Sequence, residues 1–159
     1  MGNDSTLIAK AKIVQAKYYT KIQNKKYVTL IDFTKSIDRE RLFVVDLFDK
    51  KIILKSKVSH GIMSGLEYAT NFSNINDSKK SSLGAYLSNE SYYGMWGYSM
   101  KLDGLDKGIN DMAKKRVIVF HSSKKMRTKW SWGCFATPEE INTKLINIIK
   151  NGSLIYVFN

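Results

Sequence analysis

Residues 116–140 read RVIVFHSSKKMRTKWSWGCFATPEE, which sets an apolar run, a polar loop and a helix start in succession. The apolar centre of residues 116–120 is almost unbroken, as is typical of a strand buried on both faces. Thr137 and Pro138 precede two glutamates, so we expect Thr137 as the N-cap and Pro138 at the first helical position. This stretch therefore predicts a buried strand and a surface helix joined by a long polar loop.

The rest of the chain changes from helical to strand periodicity. Residues 5–23 carry apolar side chains at helical spacing, and they predict an N-terminal helix. Three β-rich runs follow, the last two joined by a short link, which predicts an antiparallel meander. Residues 59–83 are polar and predict a long surface loop. The predicted strands are 27–33, 41–47, 51–58, 84–87, 97–102, 116–120 and 154–158, with a helical turn at 110–114.

These elements predict a fold that is mainly β. We expect a mixed β-sandwich or open barrel with an N-terminal helix and one helix after the polar loop. No repeat, linker or low-complexity tract divides the 159 residues, a length that suits one compact domain. We expect residues 1–24 to form a helical brace and residues 25–159 to form the functional domain.

The composition bounds the class of protein. Hydrophobic residues make up 43% of the chain, which excludes a disordered tail. The net charge is +12, but few of the basic residues are arginines, the side chain best suited to bidentate phosphate recognition. The lysine coat has two interpretations, association with a polyanion such as an anionic wall polymer or a merely solvated surface. The single cysteine excludes an internal disulfide, and the N-terminus shows no export signal.

His121 and Cys134 are the residues in this stretch best suited to chemistry. An imidazole can take the proton of a thiol, and nearby basic residues with a helix N-terminus favour the thiolate. Gly133 permits a tight turn whose N–H group, with that of Cys134, can face one point as an oxyanion hole requires. Taken separately, Cys134 fits a buried core cysteine equally well, and His121 fits a structural histidine. Taken together, they predict acyl transfer by a cysteine nucleophile.

At these residues the sequence resembles a known family. The pattern His121-Ser122 followed by Ser131-Trp132-Gly133-Cys134 looks like the active-site motif of YkuD-type L,D-transpeptidases, a His and then Ser/Thr-His-Gly-Cys. This sequence has a tryptophan in place of the second histidine. In this it resembles a divergent branch of murein L,D-transpeptidase catalytic domains with the motif Ser-Trp-Gly-Cys. The resemblance runs from about residue 25 to the C-terminus and includes residues 31–33, 41–47, 58–61, 72–74, 80–84, 93–94, 97–99, 104–105 and 108–110.

The resemblance implies a catalytic mechanism. Cys134 would attack the carbonyl before the terminal D-Ala of a stem tetrapeptide, release D-Ala and form a thioester. The amine of an acceptor stem peptide would then resolve the thioester and complete a 3–3 cross-link. His121 would act as the base, the carbonyl of Ser122 would fix its tautomer, Gly133 and Cys134 would stabilise the oxyanion, and Ser131 would shape the turn. These roles need no cofactor and no metal ion.

The resemblance also implies a setting for the domain. We expect it in the cell envelope, periplasmic or extracellular, as a monomer whose partners are donor and acceptor peptidoglycan stem peptides. Two departures from the branch bear on substrate preference, since Phe135 stands where Pro is common and Trp130 where Arg is common. Neither departure removes a catalytic group.

Four residues are candidates for binding substrate, each with an alternative. His60 is a second active-site histidine or a loop histidine bonded to backbone. Arg116 binds a stem-peptide carboxylate, or it caps the entrance of its strand or pairs with an aspartate. Tyr92 and Trp132, with Tyr93 and Trp96, form an aromatic wall for the peptide or belong to the core.

Two other functions remain open at this stage. A hydrolase, either an L,D-carboxypeptidase or an endopeptidase, differs only in that water resolves the thioester. A non-catalytic wall-binding module would keep the fold without the chemistry. Nucleic-acid binding is not expected, because no OB-fold or RNP-like pattern accompanies the lysines and aromatics.

Overall fold

A computed structural model describes residues 2–159, which contain eight strands of a single curled sheet. The strand order is β3-β2-β1-β8-β4-β5-β6-β7. The pairs β1–β8 and β6–β7 are parallel and the other neighbours are antiparallel. The strands are β1 Tyr27–Asp32, β2 Leu42–Asp46, β3 Lys51–Ser56, β4 Gly84–Gly94, β5 Gly97–Gly104, β6 Val119–Ser122, β7 Phe135–Thr137 and β8 Leu154–Phe158; the helices are α1 Gly2–Lys17 and α2 Glu139–Ile149.

Each helix covers one face of the sheet. Apolar side chains of α1, such as Ala11 and Val14, pack with Val28 and Leu30 of β1 in one cluster. Side chains of α2, such as Leu145, pack in a second cluster on the opposite face. Because β-strands alternate their side chains, one strand serves both clusters. The predicted fold class, mainly β and mixed with an N-terminal helix and a second helix after the polar loop, is confirmed.

The N-terminal half follows the sequence prediction closely. The antiparallel meander β1–β2–β3 is confirmed, with Leu30 opposite Phe43 in its register. The loop at residues 59–83 has no named strand or α-helix; it contains a 3₁₀ turn, Ile62–Ser64, and an isolated bridge from Gly61 to Ser131. The N-terminal helix ends at Lys17 and is followed by a 3₁₀ turn, Tyr19–Lys21, rather than continuing to residue 23. The domain division at residue 24 remains a prediction. Within residues 2–159, no helix combines the length and apolar character that a bilayer crossing requires.

The strand predicted at residues 116–120 starts later than expected. Residues 107–117 form a series of turns in place of the single helical turn predicted there, and the N–H of Arg116 donates to the carbonyl of Met112. Val117 has a φ of 56° and is 65% exposed, so it cannot belong to a buried strand. The strand β6 therefore begins at Val119 and contains His121 instead of preceding it.

The start of the second helix also differs. Thr137 lies in β7, a three-residue strand that was not predicted, and Pro138 occupies the N-cap position. The hydroxyl of Thr137 donates to the amide oxygen of Asn142 rather than accepting from the first helical turn. Strand pairing of residues 135–137 with β6 therefore prevailed over the capping signal.

Candidate active site

His121 and Cys134 line the same cleft, which has a volume of about 560 Å³. His121 comes from β6, and Cys134 directly precedes β7, so the parallel pairing of these two strands brings the two residues together. A larger groove of about 770 Å³ runs along α1 but contains neither a histidine nor the cysteine. The catalytic pair predicted from sequence therefore shares one cavity.

The environment of His121 fixes its tautomer. The ring Nδ1 lies 2.8 Å from the carbonyl oxygen of Ser122, and a carbonyl can only accept, so Nδ1 carries the proton. The lone pair of Nε2 is then available to take a proton. Trp96, from the tip of the β4–β5 hairpin, stacks on the imidazole at 5.0 Å and 18°. Burial lowers the pKa of His121, although the Ser122 carbonyl opposes this.

Cys134 is half-buried and its thiol contacts backbone. Sγ donates to the carbonyl of Val117 at 3.3 Å and accepts from the N–H of Val119 at 3.5 Å. Burial raises the pKa of the thiol, opposed by the Val119 N–H and by the charge of Arg116. No hydrogen bond joins Sγ to the His121 ring in the described chain. The resting site therefore holds a neutral thiol beside a neutral imidazole, and Sγ must turn from Val117 before it transfers its proton.

The turn before Cys134 depends on Ser131 and Gly133. The Ser131 hydroxyl donates to the carbonyl of Cys134 at 2.7 Å and accepts from the N–H of Gly133 at 3.1 Å. Gly133 has a φ of 124°, which favours glycine, and a Cβ there would lie 2.9 Å from the carbonyl oxygen of Lys80. Ser131 thus shapes the turn as expected. The expected oxyanion role of Gly133 does not fit, because its N–H is already bonded within the turn.

His60 does not reach the cleft. It is fully buried, with Nδ1 at 2.9 Å from a guanidinium nitrogen of Arg41 and Nε2 at 2.7 Å from the carbonyl of Gly65. Both ring nitrogens are therefore engaged inside the protein. The structure contradicts the prediction of His60 as a substrate-binding residue and agrees with the alternative, a loop histidine bonded to backbone.

Arg116 lines the cleft, but both terminal nitrogens of its guanidinium are hydrogen-bonded, while its Nε is buried without a partner among the described residues. It donates to the carbonyls of Ser73 and Lys80 at 2.9 and 2.7 Å, and to the hydroxyl of Ser78 at 3.2 Å. These bonds anchor the long loop, so Arg116 is not free to bind a substrate carboxylate as predicted. Its contribution to the site is the positive charge that acts on Cys134.

The aromatic candidates divide between the cleft and its surroundings. Trp132 lies on the rim, 72% exposed, with the ammonium of Lys79 4.7 Å from its ring centre. Trp96 and Trp130 also line the cleft. Tyr92 does not line it and lies along β4 with the ammonium of Lys101 over its ring. The predicted aromatic wall is therefore built from tryptophans.

The cleft has a basic side, formed by residues of the polar loop that the sequence placed near the thiol. Arg127 and Lys125 line it and are exposed, and no aspartate or glutamate is among its described lining residues. Which of the loop's basic residues face the cleft depends on the folded loop, and the sequence did not show it. A basic cleft of this kind favours an anionic ligand.

Comparison with known proteins agrees with the geometry. The sequence profile of the family described as "L,D-transpeptidase catalytic domain" matches residues 3–158. The chain belongs to this family. No protein of curated function matches the sequence.

Solved structures share the fold of this L,D-transpeptidase domain at low sequence identity. An L,D-transpeptidase (Yku) from Stackebrandtia nassauensis has a TM-score of 0.54 at 17% identity, covering 96% of this chain and 64% of its own. The helical cell shape determining protein Pgp2 from Campylobacter jejuni has a TM-score of 0.56 at 12% identity, covering 92% and 53%. LdtMt1, in complex with imipenem, has a TM-score of 0.51 at 10% identity, covering 84% and 59%. The domain thus spans between half and two thirds of these chains.

The conformation of Gly133 yields a first prediction. We expect Gly133→Ala to lower the free energy of unfolding by about 1–3 kcal/mol, the usual cost of a side chain at such a φ. Gly108→Ala is the matched control, since Gly108 has a φ of 77° with open space around it. Urea titrations compare the two variants. Equal losses in the free energy of unfolding would mean that the contact of the added Cβ with the Lys80 carbonyl does not contribute to the cost.

The electrostatics of the pair yield a second prediction. Because burial lowers the pKa of His121, its imidazole remains a base below about pH 6.5, the ordinary value for histidine. We therefore expect the rate of Cys134 acylation to persist below that pH and to fall only at more acidic values. Stopped-flow measurements of acylation by a β-lactam at a series of acidic pH values give the pH at which the rate falls. A midpoint at or above the ordinary histidine value would contradict the assignment.

Proposed function

We propose that this domain is a peptidoglycan L,D-transpeptidase that acts through a Cys134 thioester on stem tetrapeptides. The observation that carries the proposal is the bond from His121 Nδ1 to the Ser122 carbonyl, because it leaves a basic Nε2 in the cleft that Cys134 lines. The family membership supports the same chemistry.

In the first half-reaction Cys134 attacks the carbonyl that precedes the terminal D-Ala. His121 takes the thiol proton through Nε2 as the carbon–sulfur bond forms. When the carbon–nitrogen bond breaks, His121 returns that proton to the amine of the departing D-Ala. The acyl group is then held as a thioester on Cys134.

In the second half-reaction the side-chain amine of another stem peptide attacks the thioester. His121 accepts a proton from this amine, the new amide forms, and the sulfur leaves and is reprotonated. The product is a 3–3 cross-link. Water in place of the amine would give a carboxypeptidase or endopeptidase product instead.

Stabilisation of the oxyanion falls to the N–H of Cys134 in this proposal. Gly133 contributes through the turn it permits, because its own N–H is bonded to Ser131. No hydrogen bond occupies the Cys134 N–H within residues 2–159. One preorganised donor of this type typically contributes about a hundredfold or more to the rate.

The charges of the cleft suit wall peptides. Stem peptides carry carboxylates, and Arg127 and Lys125 present positive charge where the peptide would enter. The exposed ring of Trp132 offers an apolar surface at the same rim. We further propose that the domain works as a monomer in the cell envelope, where its lysine surface can associate with anionic wall polymers.

Product analysis tests the proposed reaction. Incubation with a disaccharide-tetrapeptide is expected to release D-Ala and to give a cross-linked dimer, measured by mass spectrometry, and Cys134→Ala is expected to give neither. Tripeptide without any dimer would replace transpeptidation by hydrolysis. No product of either kind, with no acyl adduct, would support a wall-binding module.

Acylation by imipenem tests the nucleophile separately, since a structure of similar fold holds this compound. We expect a covalent adduct on the wild-type protein and none on Cys134→Ala at the same concentration. Intact-protein mass spectrometry gives the result directly. An adduct that persists in the alanine variant would place the reaction elsewhere.

The role of His121 gives a further prediction. His121→Ala is expected to leave the fold intact and to slow acylation by about a hundredfold or more, the usual scale for a general base. Circular dichroism checks the fold, and stopped-flow fluorescence measures the rate. A variant that acylates at the normal rate would refute His121 as the base.

A further inference from the structure

Arg41 is a fully buried arginine that has no carboxylate partner among the described residues. Its Nε and one terminal nitrogen donate to the carbonyl of Val58 at 3.0 and 2.6 Å, and the other terminal nitrogen donates to Lys35 at 3.2 Å. Its guanidinium lies 4.7 Å from the ring centre of Phe33. A buried charge of this kind is costly unless every donor is satisfied.

His60 takes part in the fourth hydrogen bond of the Arg41 guanidinium. Arginine can only donate, so His60 Nδ1 must accept the 2.9 Å bond and Nε2 must carry the proton that binds the Gly65 carbonyl. The edge of the ring packs against Phe33 at 5.9 Å between centres. His60 is therefore held as a neutral ring in the tautomer opposite to that of His121.

The segment between these contacts is bonded to the catalytic turn. The carbonyl of His60 accepts from the N–H of Ser131 at 3.0 Å, and the Ser131 carbonyl accepts from Ile62 at 2.9 Å. The hydroxyl of Ser59 donates to the carbonyl of Cys134 at 3.1 Å and accepts from the N–H of Ala136 at 2.9 Å. Residues 58–62 are thus hydrogen-bonded to both ends of the turn that carries Cys134.

We infer that Arg41 and His60 are positioning residues, which set the location of Cys134 through residues 58–62 without touching substrate. Arg41 fixes the start of the segment through the Val58 carbonyl, and it fixes the middle through the His60 ring. The hydroxyl and backbone contacts of the segment then fix the turn. The inference rests on the proposed function of Cys134 as nucleophile.

The groups around the pair favour the neutral form of His60. Asp32 and Asp38 raise the pKa of Arg41, but burial outweighs them and lowers it to about 10. Burial and Arg41 both lower the pKa of His60, while the carbonyls of Gly65 and Leu66 raise it. A protonated His60 would set a donor against the Arg41 donor, so acid breaks the contact.

The test compares His60→Leu with His60→Asn, since leucine and asparagine have nearly the same shape and only asparagine can accept from Arg41. Val14→Ala is the control for general loss of stability, because Val14 lies on α1 and packs in the other core cluster. The rate of imipenem acylation is measured well below the melting temperature of each protein. We expect H60L to be slowed roughly tenfold or more, the scale of a small misplacement of reacting groups. H60N should recover most of the rate, and V14A should acylate normally.

A second readout does not depend on the proposed reaction. The pH profile of Cys134 alkylation by iodoacetamide reports the thiol pKa, which burial raises in the wild type. In H60L we expect this pKa to move down toward that of an ordinary cysteine, as the loosened turn exposes the thiol to water, and in H60N and V14A to stay raised. Lack of acylation in the wild type would refute the proposed function. The alkylation profile would still show whether Arg41 and His60 position the Cys134 thiol. An unchanged rate and profile in H60L would overturn the positioning role.

Discussion

The hydrogen bond from the His121 ring to the Ser122 carbonyl is the interaction on which the site depends. Both partners are neighbours in β6, and the bond orients the imidazole without a buried carboxylate. Trp96 covers one face of the ring and limits its rotation. The lone pair of Nε2 is thereby left available on a residue that lines the cleft, without a buried charge.

Burial favours the neutral form of both His121 and Cys134. The pKa of Cys134 is raised and that of His121 is lowered, so each is neutral before substrate arrives. A neutral pair avoids holding a thiolate and an imidazolium in a partly dry cleft. In the proposed reaction charge develops only after the substrate binds, where the Cys134 N–H and the nearby Arg116 would act on it.

The sequence was enough to predict most strands, and it singled out His121 and Cys134, which the fold brings to one cleft, because apolar periodicity and the family-like motif are local signals. It failed where tertiary contacts decide. The apolar run at 116–120 did not reveal that Val117 turns outward, and the cap signal at Thr137 yielded to pairing with β6. The role of His60 stayed open in the sequence, because its partner Arg41 is 19 residues away and contacts it only in the folded protein.

The tautomers of the two histidines test the account most directly. Long-range proton–nitrogen NMR correlations on the ¹⁵N-labelled protein at neutral pH distinguish Nδ1–H from Nε2–H rings, and the chain has only two histidines to assign. The account predicts a neutral His121 protonated on Nδ1 and a neutral His60 protonated on Nε2. An imidazolium at His121, or a proton on its Nε2, would contradict it.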